Sequence, residues 1–207
     1  LLTLVQWLSP AFPTGGYAFS HGMEQVIDDG TIRSGADLEH WLSGVLCFGS
    51  GRQDAILLAC ALQPEADHAG LAAYGRALAA SAERLSETCV QGAALARAVS
   101  AVTGREIAAG PLPVVLGQAA APLGLERGQV IVLYLHAFTS NLVSAAVRFV
   151  PLGQNEGQRA LAALHGLIEA LAAEAGRATL DDISSAVFGA ELAAMRHETM
   201  DVRIFKT

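Results

Sequence analysis

This 207-residue chain has six histidines and three cysteines. These are the side chains with which it would bind a transition metal. They are His21, His40, His68, His136, His165, His197, Cys47, Cys60 and Cys89. No two histidines are four residues apart, and neither His-x-His nor Cys-x-x-Cys occurs. We therefore predict no metal site within one chain, although a site shared between chains stays open. The cysteines lie in apolar runs, which is typical of buried, reduced thiols in a cytoplasmic protein.

Motifs for catalysis do not occur in the sequence either. Gly15–Gly16 and Gly49–Gly51 lack the frame of a phosphate-binding loop, and the only lysine, Lys206, stands next to the end of the chain. There is no Gly-x-Ser-x-Gly turn for a nucleophilic serine. The acid pairs Asp28–Asp29 and Asp181–Asp182 are interpreted as a turn and a helix start. The sequence predicts a protein that is not an enzyme and that binds no cofactor tightly.

The composition favours a protein partner over a nucleic acid or a membrane. Hydrophobic residues make up 52% of the chain and charged residues only 16%, against about 25% in a typical soluble domain. Apolar side chains in excess of what the core needs are usually covered by a partner. The net charge of -7 provides no basic field for phosphate backbones or anionic lipids.

The most apolar stretch, residues 130–150, has the helical period. Ile131, Tyr134 and Phe138 begin one apolar face, and a second face of mostly smaller residues includes His136 and Ser140. A helix that is apolar on two sides belongs in the middle of a bundle, and its polar residues are too many for a membrane span. We interpret His136 as a core histidine with its polar atoms satisfied, and we expect His165 to lie in solvent.

Helix boundaries follow from capping residues. Ser34 and Asp37 have the spacing of an N-terminal cap, and Thr179 and Asp182 repeat it before the last predicted helix. Glycines that end periodic runs are Gly30, Gly104, Gly124, Gly153 and Gly176. Prolines that separate or end helices are Pro111, Pro113 and Pro151. We predict one all-α domain, a helical bundle of about eight to ten helices over residues 1–197, followed by a flexible C-terminal tail at residues 198–207.

Four segments carry patterns that are specific in order as well as in composition. They are Leu4–Gln25 (LVQWLSPAFPTGGYAFSHGMEQ), Gly51–Ala55 (GRQDA), Leu135–Ala163 (LHAFTSNLVSAAVRFVPLGQNEGQRALAA) and Met195–Lys206 (MRHETMDVRIFK). They are spread over most of the length of the chain, from residue 4 to residue 206, and resemble the urease accessory protein F family. One departure is His21–Glu24, which reads His-Gly-Met-Glu where many relatives carry Gln-Gly-Leu-Glu. Arg52 and Asp54 in the second segment are interpreted either as a charge pair at a helix start or as partner contacts.

The resemblance implies a scaffold. Members of this family are helical homodimers that bind the D-type urease accessory protein, called H in some bacteria, and recruit a nickel-carrying G-type GTPase. Nickel then passes transiently through the complex to apo-urease. The positions that match the family motifs and would contact partners are Tyr17, Arg148, Gln154, Arg196, His197, Glu198, Arg203 and Phe205.

The tail is expected to be poorly ordered alone and to dock on a partner, with Arg196 and Arg203 pairing with acids. A frayed end without a role is the alternative. Two other functions also stay open: a regulator of GTP hydrolysis that inserts Arg148 or Arg203, and a free-standing nickel-binding chaperone. The chaperone requires a micromolar-range nickel site, which the scattered histidines do not predict.

Overall fold

In a computed structural model that describes residues 1–149 and 152–206, the chain is all-α. The helices are α1 (Leu2–Leu8), α2 (Met23–Asp28), α3 (Gly35–Phe48), α4 (Ser50–Ala61), α5 (His68–Ala77), α6 (Ala82–Thr103), α7 (Leu112–Ala120), α8 (Arg127–Phe149), α9 (Gln154–Ala163), α10 (His165–Ala175) and α11 (Phe188–His197). Short 3₁₀ turns occupy Gly16–Ala18, Ala121–Leu123 and Leu180–Asp182. Over these residues the structure has eleven α-helices and no strand.

The number of helices exceeds the predicted eight to ten because single residues break the helical path. Gly49 stands alone between α3 and α4, and Leu164 stands alone between α9 and α10. The sequence pattern from Leu161 to Ala175 predicts one helix, because a one-residue break leaves the apolar spacing nearly unchanged. The break turns the chain, and it places His165 at the first position of α10.

Two of the predicted caps form at helix or turn starts. The Ser34 hydroxyl accepts a hydrogen bond from the Asp37 amide at 3.2 Å and caps α3. Thr179 and Asp182 form a reciprocal capping box, but it encloses the 3₁₀ turn Leu180–Asp182. The last helix begins later, at Phe188. The prediction that this cap starts the last helix was therefore wrong.

Three of the five predicted glycines end helical runs in the left-handed conformation that favours glycine. Gly30, Gly104 and Gly124 have φ of +77°, +70° and +63°. Gly153 precedes α9 with φ of -67°, and Gly176 continues in the right-handed helical region. The prediction for Gly153 was wrong, because this glycine stands at the start of α9. Gly176 does follow the last residue of α10, although its backbone angle is not the left-handed one. Pro111 stands before α7 as predicted, and Pro151 lies outside the described residues.

Helix α8 is the centre of the bundle. It packs against α1, α2, α3, α4, α9 and α10. Along it Val130, Ile131, Tyr134, Leu135 and Leu142 are at most 2% exposed. It is also the one helix among the described residues with the length and hydropathy to cross a membrane, yet half of its most apolar window is buried within the bundle. The prediction of a central helix is confirmed.

Small residues allow helices to approach closely around this centre. A Cβ on Gly117 of α7 would collide with Ala61 of α4. A Cβ on Gly92 of α6 would collide with the Gly110 carbonyl just before α7. Helices α4, α6 and α7 can therefore pack backbone to backbone, which explains the many alanines and glycines in this part of the sequence.

Candidate partner-binding site at the C-terminal tail

The C-terminal tail is docked on its own chain. Phe205 is 6% exposed and belongs to the main hydrophobic core. Its ring centroid lies 5.1 Å from that of Phe149, and the Arg148 guanidinium lies 5.0 Å from the Phe205 centroid. The Lys206 amide donates to the Ala18 carbonyl at 2.8 Å. The described part of the tail thus has fixed contacts, which differs from the expectation of a free tail.

Glu24 of α2 holds the backbone of the tail. Its Oε1 accepts a hydrogen bond from the Ile204 amide at 2.9 Å, and its Oε2 accepts one from the Phe205 amide at 3.0 Å. Glu24 is only 4% exposed, so these bonds replace the water that a carboxylate would otherwise require. A single side chain near the start of the chain therefore fixes the last residues.

His197 joins Glu24 to a second buried carboxylate. The imidazole is fully buried, with Nδ1 at 2.7 Å from Glu83 Oε2 and Nε2 at 3.0 Å from Glu24 Oε2. Both ring nitrogens of His197 are thus placed against carboxylate oxygens of other helices. The Glu83 Oε1 also accepts a bond from Arg203 at 2.9 Å.

This arrangement favours the ionised form of Glu24. Burial alone would raise the pKa of Glu24. The hydrogen bond from His197 and the amides of Phe205 and Ile204 outweigh that effect, and the pKa of Glu24 is lowered from 4.5. His197 and Arg203 together face the carboxyl groups of Glu24 and Glu83.

Glu198 caps the start of α6. Its Oε1 accepts hydrogen bonds from the Ala82 amide at 2.9 Å and the Glu83 amide at 3.3 Å. The Ser81 hydroxyl accepts from the Arg84 amide in the same first turn. A carboxylate at this end of a helix satisfies free amides and complements the helix dipole. The first residue of the tail is thereby anchored to α6.

Helix α11 approaches the N-terminus of α2 closely enough to require a glycine. Gly22 has φ of +72°, and a Cβ there would lie 2.7 Å from the Ala194 amide nitrogen and Cα. Both the backbone conformation and the space therefore exclude other residues. The preceding residue, His21, also has positive φ, at 60°, and its ring is held between Ser50 and Glu87.

The outer side of this region is apolar. Phe188, Leu192 and Met195 of α11 are 71%, 49% and 44% exposed, and their spacing places them on one helix face. We call these three residues the α11 apolar face. In the tail, Val202 and Ile204 are 77% and 71% exposed. Val202 and Ile204 lie in the tail that the sequence predicts to dock on a partner, whereas Phe188 and Leu192 lie outside the four family segments and were not predicted.

The eight predicted partner-binding residues divide into two groups. His197 and Phe205 are buried inside the chain, so in this conformation they cannot contact a partner. Tyr17, Arg148, Gln154, Arg196 and Arg203 are exposed, and Glu198 is half-buried. Arg148 joins two parts of the set, because it donates to the Tyr17 carbonyl at 3.2 Å and stacks on the Phe205 ring. The structure thus brings the opening segment, the end of α8 and the tail together.

A groove of about 480 Å³ lies beside α8 and is lined by Tyr17 and Gln154 as well as by polar residues at its base. At the base, Asp54 Oδ2 accepts hydrogen bonds from Arg84 and from the Tyr134 hydroxyl, each at 2.7 Å. Burial opposes charge on Arg84, but Asp54 and Glu87 outweigh it and raise the pKa of Arg84. For Tyr134, burial and Asp54 raise the pKa far above its usual value.

Arg52 and Asp54 do not pair with each other. Arg52 binds Glu174 of α10 at 2.8 Å and the Asp182 carbonyl at 2.6 Å, whereas Asp54 faces Arg84. The interpretation as a helix-start charge pair was wrong. Residues two apart on a helix point in different directions, so each finds its own partner.

His136, which lines the same groove, is in ring contact with His165 of α10. Their ring centroids are 5.5 Å apart with an interplanar angle of 48°. Burial, and next the charge of His165, lower the pKa of His136, so its imidazole is neutral near pH 7. Among the described residues no three His, Cys, Asp or Glu side chains come together as a metal site. The three cysteines are free and half-buried, and burial raises the pKa of Cys47 and Cys60.

Comparison with known proteins decides the family. The family model described as UreF matches residues 32–165, more than half of the chain. The chain belongs to the UreF family. The UreF match ends before α11 and the tail, but full-length UreF relatives align over that region as well.

Three of these relatives are each named urease accessory protein UreF. The protein from Cereibacter sphaeroides strain KD131 is 63% identical over 207 residues, covering 100% of this chain and 98% of the relative. Those from Jannaschia sp. strain CCS1 and Paracoccus denitrificans strain Pd 1222 are 52% and 51% identical, again over 100% of this chain and over 94% and 95% of the relatives. The resemblance of the four sequence segments to the UreF family is confirmed, and the chain is a urease accessory protein by family.

Proposed function

We propose that this chain is a non-enzymatic adaptor that bridges the D-type (or H-type) accessory protein and the nickel-carrying G-type GTPase while nickel is inserted into apo-urease. It would act in the cytoplasm as a homodimer, and nickel would pass through the assembly without a tightly held site. The observation that carries the proposal is the exposed apolar surface at the C-terminal end, formed by the α11 apolar face with Val202 and Ile204. Exposed apolar side chains of this size favour a protein partner.

The tail suits this role because its inner and outer sides differ. Phe205 and the amides of residues 204 and 205 face inward and fix the tail to α2. The neighbouring Val202 and Ile204 face outward. A docked tail holds these two side chains in a defined position. Less conformational entropy is therefore lost when a partner binds.

The test compares binding of the D-type accessory protein by the full chain and by variants, using pull-down and light scattering. Deleting Glu198–Thr207 should abolish binding, but it also removes Phe205 from the core. The sharper variant is therefore Val202→Ser with Ile204→Ser, which keeps the inward contacts. We expect it to stay folded and to weaken binding by roughly tenfold or more, since burying each apolar side chain contributes about 1.5–3 kcal/mol.

The matched control is Val102→Ser, which removes a valine that is 61% exposed at the end of α6. It should bind like the unchanged chain. If the double variant binds equally well, the outer side of the tail is not the docking surface. If the unchanged chain does not bind the D-type protein at all, the adaptor role is refuted.

Regulation of GTP hydrolysis makes a separate prediction. Its candidate arginines are both engaged within the chain: Arg148 by Tyr17 and Phe205, and Arg203 by Glu83. Either would have to leave these contacts to reach a nucleotide. We expect GTP turnover by the G-type protein to be the same with the unchanged chain and with Arg148→Ala or Arg203→Ala. A loss of stimulated turnover in one variant would favour the regulator instead.

A further inference from the structure

Two histidines that are 29 positions apart in the sequence face each other without other partners. The rings of His136 on α8 and His165 on α10 are in contact. Within residues 1–149 and 152–206, neither ring has a hydrogen bond to another protein group. This distinguishes them from His21 and His197, whose two ring nitrogens both face oxygen atoms, and from His68, whose Nε2 lies 2.9 Å from the Ala61 carbonyl oxygen.

We propose that His136 and His165 form an open binding site for one divalent transition-metal ion of the class that prefers nitrogen ligands, Ni²⁺, Cu²⁺ or Zn²⁺. The distance between the rings fits this chemistry. With a metal–nitrogen bond of about 2.0–2.1 Å, each ring centroid lies about 3.2 Å from the ion, and two rings at a tetrahedral angle are then about 5.2 Å apart. The observed separation is 5.5 Å.

The two backbones are held in place by their buried neighbours. Leu135, next to His136, is fully buried, and Leu164, next to His165, is 2% exposed. His165 is exposed at the first position of α10, so an ion can reach the pair from solvent. The site is therefore both preorganised and accessible, as a ligand pair on rigid elements should be.

The ligand set implies weak and exchangeable binding. No third His, Cys, Asp or Glu joins the pair in the described ranges, so water or a partner's side chain must complete the coordination. Such an ion leaves easily. The proposal departs from the sequence-based expectation that the histidines are too scattered to bind metal, because that expectation took no account of contacts between helices.

A site that binds nickel weakly and briefly would suit the proposed adaptor. This use of the site for nickel transfer rests on the proposed function. The metal binding itself does not, because neither histidine belongs to the tail or to the α11 apolar face. A chain that binds the D-type protein but no metal would overturn the site alone. A chain that binds metal but no D-type protein would overturn the adaptor alone.

The experiment is equilibrium dialysis of the tag-free full chain against Ni²⁺, with His136→Gln and His165→Gln as variants. His40→Gln is the matched control, because His40 is exposed and has no partner in the described part of the chain. We expect one Ni²⁺ per chain for the unchanged protein and the control, and loss of that site in each of the two variants. Far-UV circular dichroism checks that the variants stay folded.

A second measurement separates ligation from an indirect effect. Protein with ¹⁵N-labelled histidine is titrated with Zn²⁺. The ¹⁵N chemical shift of one ring nitrogen should change in both His136 and His165, and both changes should be complete at one equivalent of Zn²⁺. The proposal is overturned if the unchanged chain binds no Ni²⁺, or if either variant binds Ni²⁺ as tightly as the control does. It is also overturned if the ¹⁵N chemical shifts of the two histidines change at different amounts of added Zn²⁺.

Discussion

At the scale of single residues, the tail is held by carboxylates that the local sequence does not mark as special. Glu24 stands in the first turn of α2 and Glu83 in the first turn of α6, where acids are common for reasons of the helix dipole. Their roles depend on His197 and Arg203, more than 100 residues away. Family motifs marked His197 and Arg203 as important. No local pattern could show that they bind within their own chain.

Glu24 gives the protein a pH-dependent part of its stability. Its pKa is lowered in the folded state, so below about pH 4.5 the unfolded chain takes up a proton that the folded chain refuses. The stabilisation is therefore fully present above that pH and is lost as the pH falls through the lowered pKa. We expect Glu24→Gln to be much less stable than the unchanged chain at pH 7, with a difference that shrinks at about pH 3.5.

Urea unfolding at the two pH values measures that difference. The lowered pKa values of Asp37, Glu87 and Asp182 also affect both proteins, but they cancel in the comparison. The control Glu169→Gln removes an exposed carboxylate on α10 and should change the free energy of unfolding by less than about 0.5 kcal/mol at either pH. If Glu24→Gln and the unchanged chain differ in free energy of unfolding by the same amount at both pH values, Glu24 does not have this role.

At the scale of elements, the sequence predicts helices well and their junctions less well. The apolar period of α8 and the cap of α3 follow from local residues, and both are present. The break at Leu164 and the 3₁₀ turn after Thr179 do not follow, because each depends on how the next helix packs. The tail has no period at all. Its order comes from contacts with α2, α6 and the end of α8, which no local pattern encodes.

The contact of α11 with α2 should depend on Gly22. Gly22→Ala introduces a Cβ 2.7 Å from the backbone of Ala194 and strains the positive φ. Gly104→Ala is the matched control: it has a φ of +70°, and nothing lies within 4 Å of its added Cβ. We expect both variants to lose about 1–2 kcal/mol from backbone strain, and Gly22→Ala to lose about 1–3 kcal/mol more from the collision.

Thermal unfolding compares the two variants, and hydrogen exchange of α11 and the tail locates the effect. Faster exchange should appear in α11 and the tail of Gly22→Ala only, since these segments rest on the junction with α2. Equal losses of stability in the two variants, with unchanged exchange in α11, would mean that the junction can adjust and that the close approach is not required.

At the scale of the whole molecule, the apolar side chains divide between the core and the surface. Most of them fill a single large core around α8, as the sequence predicts. The remainder is exposed, in the α11 apolar face and the tail and also at separate positions such as Leu2, Phe48 and Val102. The composition indicated such an excess without locating it. The meeting of His136 and His165 belongs to this scale too, because it exists only once α8 and α10 are packed together.

One buried polar network ties the parts of the bundle together, and it yields the prediction that concerns the whole fold. Asp54 of α4, Arg84 and Glu87 of α6 and Tyr134 of α8 are linked, and His21 joins them through Glu87 at 2.9 Å. Replacing Arg84 by methionine keeps the bulk but leaves two buried carboxylates without their cation. We expect Arg84→Met to cost about 3–5 kcal/mol in the free energy of unfolding.

A double-mutant cycle with Asp54→Asn tests whether this cost comes from the unpaired charge. Asn keeps the shape of Asp and an acceptor for the Tyr134 hydroxyl, so the double variant removes one unpaired charge without opening a cavity. Urea unfolding should therefore find the double variant less destabilised than the sum of the two single variants, by more than about 0.5 kcal/mol. Additive losses would assign the cost to packing of the Arg84 side chain, and the network would then be a consequence of the fold instead of one of its supports.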